Sequence, residues 1–139
     1  MRVTRINHLG VIVGDIEEAA AGFRDLLGLP VSKTEVYQGA LDIAFLPCGE
    51  TQVELIQPRA GGGDAAAYLR EQGPGIQHVA FEVEDLEQAL TELRARGVGV
   101  VGEAPRPGAD GTIIAFLDPA AFGGILVELC QYRERDAGE

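Results

Sequence analysis

Ile6-Asn7-His8-Leu9-Gly10, continuing through Gly14-Asp15-Ile16-Glu17-Glu18-Ala19-Ala20, is said twice in this chain. The second telling is Ile76-Gln77-His78-Val79-Ala80, followed by Glu84-Asp85-Leu86-Glu87-Gln88-Ala89-Leu90. His78 follows His8 by 70 positions, and Asp85 follows Asp15 by the same 70. The match resumes where Ala44-Phe45-Leu46-Pro47 meets Ala115-Phe116-Leu117-Asp118-Pro119. It closes where Gln52-Val53-Glu54-Leu55 meets Leu126-Val127-Glu128-Leu129. Each copy therefore opens with a histidine in a strand-like run and ends with a glutamate in another. A repeated unit of this kind can bring equivalent side chains to one pseudo-twofold axis.

Working outward from the first copy, residues 3–13 alternate and are rich in Val and Ile, which predicts a strand. Asp15 is placed to cap a helix, with Glu18 three residues on. Ile16, Ala19, Ala20, Phe23, Leu26 and Leu27 follow helical spacing, and Gly28 and Pro30 end the run. Strands are expected near 31–37, 41–47 and 51–57, completing a βαβββ unit. The second copy predicts a strand over 76–83, a helix capped by Asp85 and Gln88, and strands near 98–103, 112–118 and 124–131. Pro105 and Pro107-Gly108 are expected in a loop between the first two of these. The modules then span 1–58 and 76–132. A linker at 59–75 holds a short helix capped by Asp64, and a charged tail occupies 133–139. The expected fold is α+β, two βαβββ modules forming a curved eight-stranded mixed sheet around a metal-containing cleft.

Composition narrows the functions. The 139 residues carry a net charge of −11 and a 46% hydrophobic fraction, enough for one core without crosslinks. That charge speaks against nucleic acid, which needs a basic stripe. No apolar run approaches the length of a membrane span, and two cysteines outside any CxxC pattern suit a reduced, cytoplasmic protein.

His8 and His78 are the only histidines. With Glu54 and Glu128 they form a symmetric set of two imidazoles and two carboxylates among apolar neighbours. Such a set suits a divalent first-row metal with one or two open positions. Glu128, inside Gly124-Ile125-Leu126-Val127-Glu128-Leu129, is hard to explain as packing, because a buried carboxylate needs a partner.

These phrases resemble the vicinal oxygen chelate (glyoxalase/bleomycin resistance) superfamily, and within it the methylmalonyl-CoA epimerases over almost the whole length. Val53-Glu54-Leu55-Ile56-Gln57-Pro58, Glu103-Ala104-Pro105-Arg106-Pro107-Gly108-Ala109 and Gly123-Gly124-Ile125-Leu126-Val127-Glu128-Leu129 carry the likeness. Gln77 departs from it, standing where such epimerases often have a second histidine. Asp118 departs too, standing where a histidine is common.

The resemblance implies one divalent ion per chain, cobalt being favoured and manganese, nickel, zinc or magnesium the alternatives. It implies epimerisation of methylmalonyl-CoA or a close acyl-CoA through a metal-stabilised enolate. Glu128 and Asp42 would be the acid/base pair, and Arg59 and Arg106 the candidates for contact with coenzyme A. A homodimer is implied as well. The competing readings are a glyoxalase I-type lactoylglutathione lyase and a metal-free binding or resistance protein of the same fold. The chain has no tryptophan, reads Gln57-Pro58-Arg59 after its first glutamate, and keeps all four ligand-type residues.

Overall fold

A computed structural model describes residues 1–133, so the charged tail lies, beyond Arg133, outside the described residues. The first copy supplies β1 (Val3–Ile12), α1 (Ile16–Leu27), β2 (Lys33–Tyr37), β3 (Leu41–Cys48) and β4 (Thr51–Pro58). A linking helix, α2 (Gly63–Gln72), leads to the second copy. That copy supplies β5 (Gly75–Val83), α3 (Leu86–Ala95), β6 (Val100–Pro107), β7 (Thr112–Leu117) and β8 (Val127–Tyr132). The strands hydrogen-bond in the order β2-β3-β4-β1-β5-β8-β7-β6, one mixed eight-stranded sheet. β1 runs parallel to β4, whereas β2–β3 and β3–β4 are antiparallel. The described chain divides into two compact units, residues 8–79 and residues 1–7 with 80–133, so that β1 and β5 each contribute to both.

Local chemistry starts α1 and α3, and stops α1, where the sequence places these events. Asp15 accepts from Glu18 N at 3.1 Å and Asp85 from Gln88 N at 3.0 Å. Each cap satisfies an amide that the first helical turn leaves without a partner. Gly28 ends α1 at φ 68°, a left-handed conformation that costs glycine little.

Alternation along the strands divides the residues between two faces. In the unit 8–79, Ala44, Leu46, Leu55 and Val13 form one buried cluster with Ala20 of α1. Ile16, Ala19 and Phe23 of that helix pack on it. Burying one such leucine fully is worth about 1.5–3 kcal/mol, so this face settles how α1 lies on its strands. The opposite face carries Phe45 and Glu54, directly across from one another in the β3–β4 ladder.

Three expectations need correction. The spacing of α1 includes Leu26 and Leu27, yet these are 84% and 71% exposed, because the packed face ends at Phe23. A 3.6-residue period marks a face but not where its partner stops. The linking helix is capped by Gly62 with no side-chain hydrogen bond, and Asp64 lies in its first turn. Finally, β6 continues through Pro107, past a register shift between Val101 and Arg106. Prolines there do not break the strand, because β6 is the sheet's edge and their missing N–H groups cost little.

Candidate metal centre

β1 and β5 each bring one histidine into the interior of the unit 8–79. His8 and His78 are 7% and 6% exposed. Their rings meet edge to face, with centroids 5.3 Å apart and planes at 85°. The two Nε2 atoms lie 3.2 Å from each other.

The opposite nitrogen of each ring is held by an oxygen. His8 Nδ1 lies 3.1 Å from Glu54 Oε2, and His78 Nδ1 lies 3.0 Å from Gln77 Oε1. An ionised carboxylate and an amide oxygen accept, so these neighbours favour the tautomer with the proton on Nδ1. In a neutral ring the Nε2 atom then holds a lone pair. In that tautomer the two Nε2 atoms, 3.2 Å apart, can both serve one cation.

The spacing passes a metric test. Two nitrogens bound about 2.1 Å from one ion, at tetrahedral or octahedral angles, lie roughly 3.0–3.4 Å apart, and 3.2 Å falls within that window. The residues therefore fit a divalent ion.

Glycine makes room for this geometry. A β-carbon on Gly10 would overlap the His78 imidazole at Cε1, Nδ1 and Nε2. Gly10 is also the parallel ladder partner of Glu54. Neither Gly10 nor Gln77 was legible as part of the site. In the sequence Gln77 stands out only as a departure from the resemblance, although a hydrogen-bonding residue beside a histidine is a signal for such a contact.

Glu54 and Glu128 sit in matching surroundings within their own units. Glu54 pairs across with Phe45, and Glu128 with Phe116. The carboxylates are 5% and 4% exposed, so both must be satisfied by partners. Three residues beyond each lies a glutamine on the opposite face. Gln57 Oε1 accepts from Ile16 N at 2.9 Å, and Gln131 Oε1 from Leu86 N at 2.8 Å. The repeated Glu-Leu-x-Gln thus presents a glutamate on one face and latches a helix N-terminus on the other.

His8, His78 and Glu54 come together; Asp42 does not join them. It alternates with Ala44 and Leu46 and pairs across with Gln57, on the face that α1 covers. Its carboxylate takes both ends of Arg59, at 2.8 and 3.0 Å, and this pair holds it below the usual carboxylate range. Arg59, the first coenzyme A candidate, is engaged in the same exposed pair. Asp118 caps the short 3-10 helix Pro119–Phe122 by accepting from Ala120 N at 2.9 Å.

A family model for the Glyoxalase/Bleomycin resistance protein/Dioxygenase superfamily matches residues 7–116, and the chain belongs to that superfamily. Within it the likeness is to methylmalonyl-CoA epimerases. The ethylmalonyl-CoA/methylmalonyl-CoA epimerase of Cereibacter sphaeroides is 37% identical over 133 residues, 93% of this chain and 98% of the relative. The crystal structure of methylmalonyl-CoA epimerase from Mycobacterium tuberculosis aligns with a TM-score of 0.90 at 32% identity, covering 99% of this chain and 93% of the other. A single-residue variant of the Streptomyces coelicolor methylmalonyl-CoA epimerase, in complex with 2-nitronate-propionyl-CoA, aligns with a TM-score of 0.88 at 28% identity, covering 96% of this chain and 100% of the other.

Proposed function

We propose that this protein is a metal-dependent epimerase of methylmalonyl-CoA or a close acyl-CoA. The observation that carries the reading is the buried His8–His78 pair, with Nε2 atoms 3.2 Å apart and each Nδ1 held by an acceptor. The similarity to epimerases over almost the whole chain supplies the substrate class.

In this proposal His8, His78, Glu54 and Glu128 would hold one divalent ion, cobalt being favoured by the resemblance, with Glu54 turning away from His8 Nδ1 to reach it. Such an ion acts as a Lewis acid toward a thioester carbonyl and lowers the cost of negative charge on its oxygen. The chain's own contribution is proton transfer and exclusion of water. The proton between a thioester and a carboxylate is acidic enough for a carboxylate to remove once the resulting enolate is stabilised. Glu128 is the proposed base on one side of the carbon, and its burial keeps bulk water from competing for the proton. Inversion also needs a group on the other side. Asp42 holds that role from the resemblance alone, and Asp42→Asn tests it. A loss of about 10²–10⁴-fold keeps the role; the parent rate leaves Asp42 as the ion-pair partner of Arg59. A homodimer belongs to the same proposal, and sedimentation tests it.

The deciding experiment is solvent deuterium exchange into methylmalonyl-CoA, read by mass spectrometry. Exchange that a chelator abolishes and a transition metal restores is expected. Conversion of the methylglyoxal–glutathione hemithioacetal, with methylmalonyl-CoA untouched, would replace this reading with a lyase.

A further inference from the structure

The edge strand β6 contains a device that the proposed chemistry does not use. Its register with β7 pairs Val101 with Phe116 and Arg106 with Ile114, so residues 102–105 are extra against Ala115 alone. An insertion of this kind re-aims the residue that follows it. Here it returns Arg106 to the face that carries Ile114 and Phe116, and Phe116 pairs directly with Glu128 on that same face. The guanidinium carbon stands 5.5 Å from the Phe116 ring centroid. Gly102, at φ 66°, leaves space for it, since a β-carbon there would lie 3.3 Å from the guanidinium Nη1. Gly108 holds the strand's end close, because a β-carbon would press on Ile114 and Thr112 at 2.5 Å.

The charge itself lacks an obvious purpose in the fold. Arg106 is half-buried, and among the described residues it donates no hydrogen bond and forms no ion pair. In a chain with 22 acidic and 11 basic residues, carboxylates are the commonest partners available. Resting a guanidinium on an aromatic ring instead leaves its planar fork of donors directed outward.

We propose that Arg106 is an anion-binding residue, held by the β6 bulge on Phe116 so that its fork receives an anionic oxygen group of the ligand, carboxylate or phosphate. The identity of that ligand as an acyl-CoA rests on the epimerase reading; the anion site does not. A guanidinium pairs with either group through two parallel hydrogen bonds, whereas an ammonium makes a point contact.

Calorimetric binding, which needs no turnover, tests this with two probes on metal-loaded protein. One is coenzyme A, which carries the phosphates; the other is methylmalonyl-pantetheine, which carries only the carboxylate. Arg106→Ala is expected to weaken one of them by about 10- to 100-fold, the usual worth of a charge-assisted contact. Arg106→Lys should recover part of the loss. Loss on coenzyme A alone assigns phosphate, and loss on the pantetheine thioester alone assigns carboxylate. With methylmalonyl-CoA as substrate, KM should rise with kcat nearly constant. Parent-like binding of both probes by a normally melting Arg106→Ala protein would overturn the proposal. Arg106-dependent binding without epimerisation would keep the anion site and remove the epimerase.

Discussion

Gly10 and His78 compete for one volume: a β-carbon on residue 10 would lie inside the His78 imidazole. The ring can stand beside His8 only because β1 has no side chain at this point. Gly10→Ala should therefore push His78 away from the 3.2 Å approach to His8. Metal affinity is expected to fall by about 10–100-fold, the loss typical when a ligand's support is disturbed. Isothermal titration with cobalt measures it, and the ring proton shifts of His78 should move with it. The matching position in the second copy, Ala80, is fully buried. Parent affinity in Gly10→Ala would show that the ring has another way to settle.

The metal prediction separates the four proposed ligands. Elemental analysis of His8→Ala and His78→Ala should find little bound ion, since each removes an Nε2 from the converging pair. Glu54→Gln is expected to retain some metal with affinity lower by about 10–100-fold, because its amide oxygen can still face the ion but carries no charge. Equal metal content in the parent and both histidine variants would remove the metal centre.

Much of this was readable in the chain because the repeat supplies its own control. Symmetry singled out His8 with His78 and Glu54 with Glu128, and alternation with caps located the strands and helices around them. What stayed hidden depends on which face meets which partner. Asp42 alternates with Ala44 and Leu46, but only packing shows that α1 covers that face. Leu26 and Leu27 fit the helical period without a partner surface to bury them. Gly10 reads as one more strand glycine until the ring it accommodates is in place. The β6 bulge was hidden for another reason, since prolines at 105 and 107 look like a loop wherever edge position is unknown.

A pH prediction follows from Tyr132. Its hydroxyl accepts from Asn7 Nδ2 at 3.1 Å and donates to Asp110 Oδ2 at 3.3 Å. Burial, opposed by the Asn7 hydrogen bond and aided by the charges of Asp110 and Glu82, pushes its pKa above the usual tyrosine value. The folded state thus favours the neutral phenol. The stability this contributes is present below about pH 10, the unfolded value, and declines as pH rises through the folded one. Of the three tyrosines, one should ionise later than the others in an ultraviolet titration. Tyr132→Phe should remove that late step and flatten the alkaline loss of stability. A late step that persists in Tyr132→Phe would show that it does not belong to Tyr132.

The two glutamine latches offer the last test, because they predict a stability effect with no chemical counterpart. Gln57 and Gln131 accept from Ile16 N and Leu86 N, the first amides of α1 and α3. Such amides have no partner within their own helix. Replacing either glutamine with alanine removes the acceptor and leaves a part-buried donor to water. Each substitution should cost about 0.5–1.5 kcal/mol, the net worth of one such hydrogen bond. Each latch acts within its own compact unit, so the double variant should lose about the sum. Both glutamines lie on the helix-bearing face, opposite Glu54 and Glu128. Metal affinity and the rate of proton exchange should therefore stay near the parent's while the melting temperature falls. A variant that melts normally but loses metal would show instead that the latch positions the glutamate three residues before it.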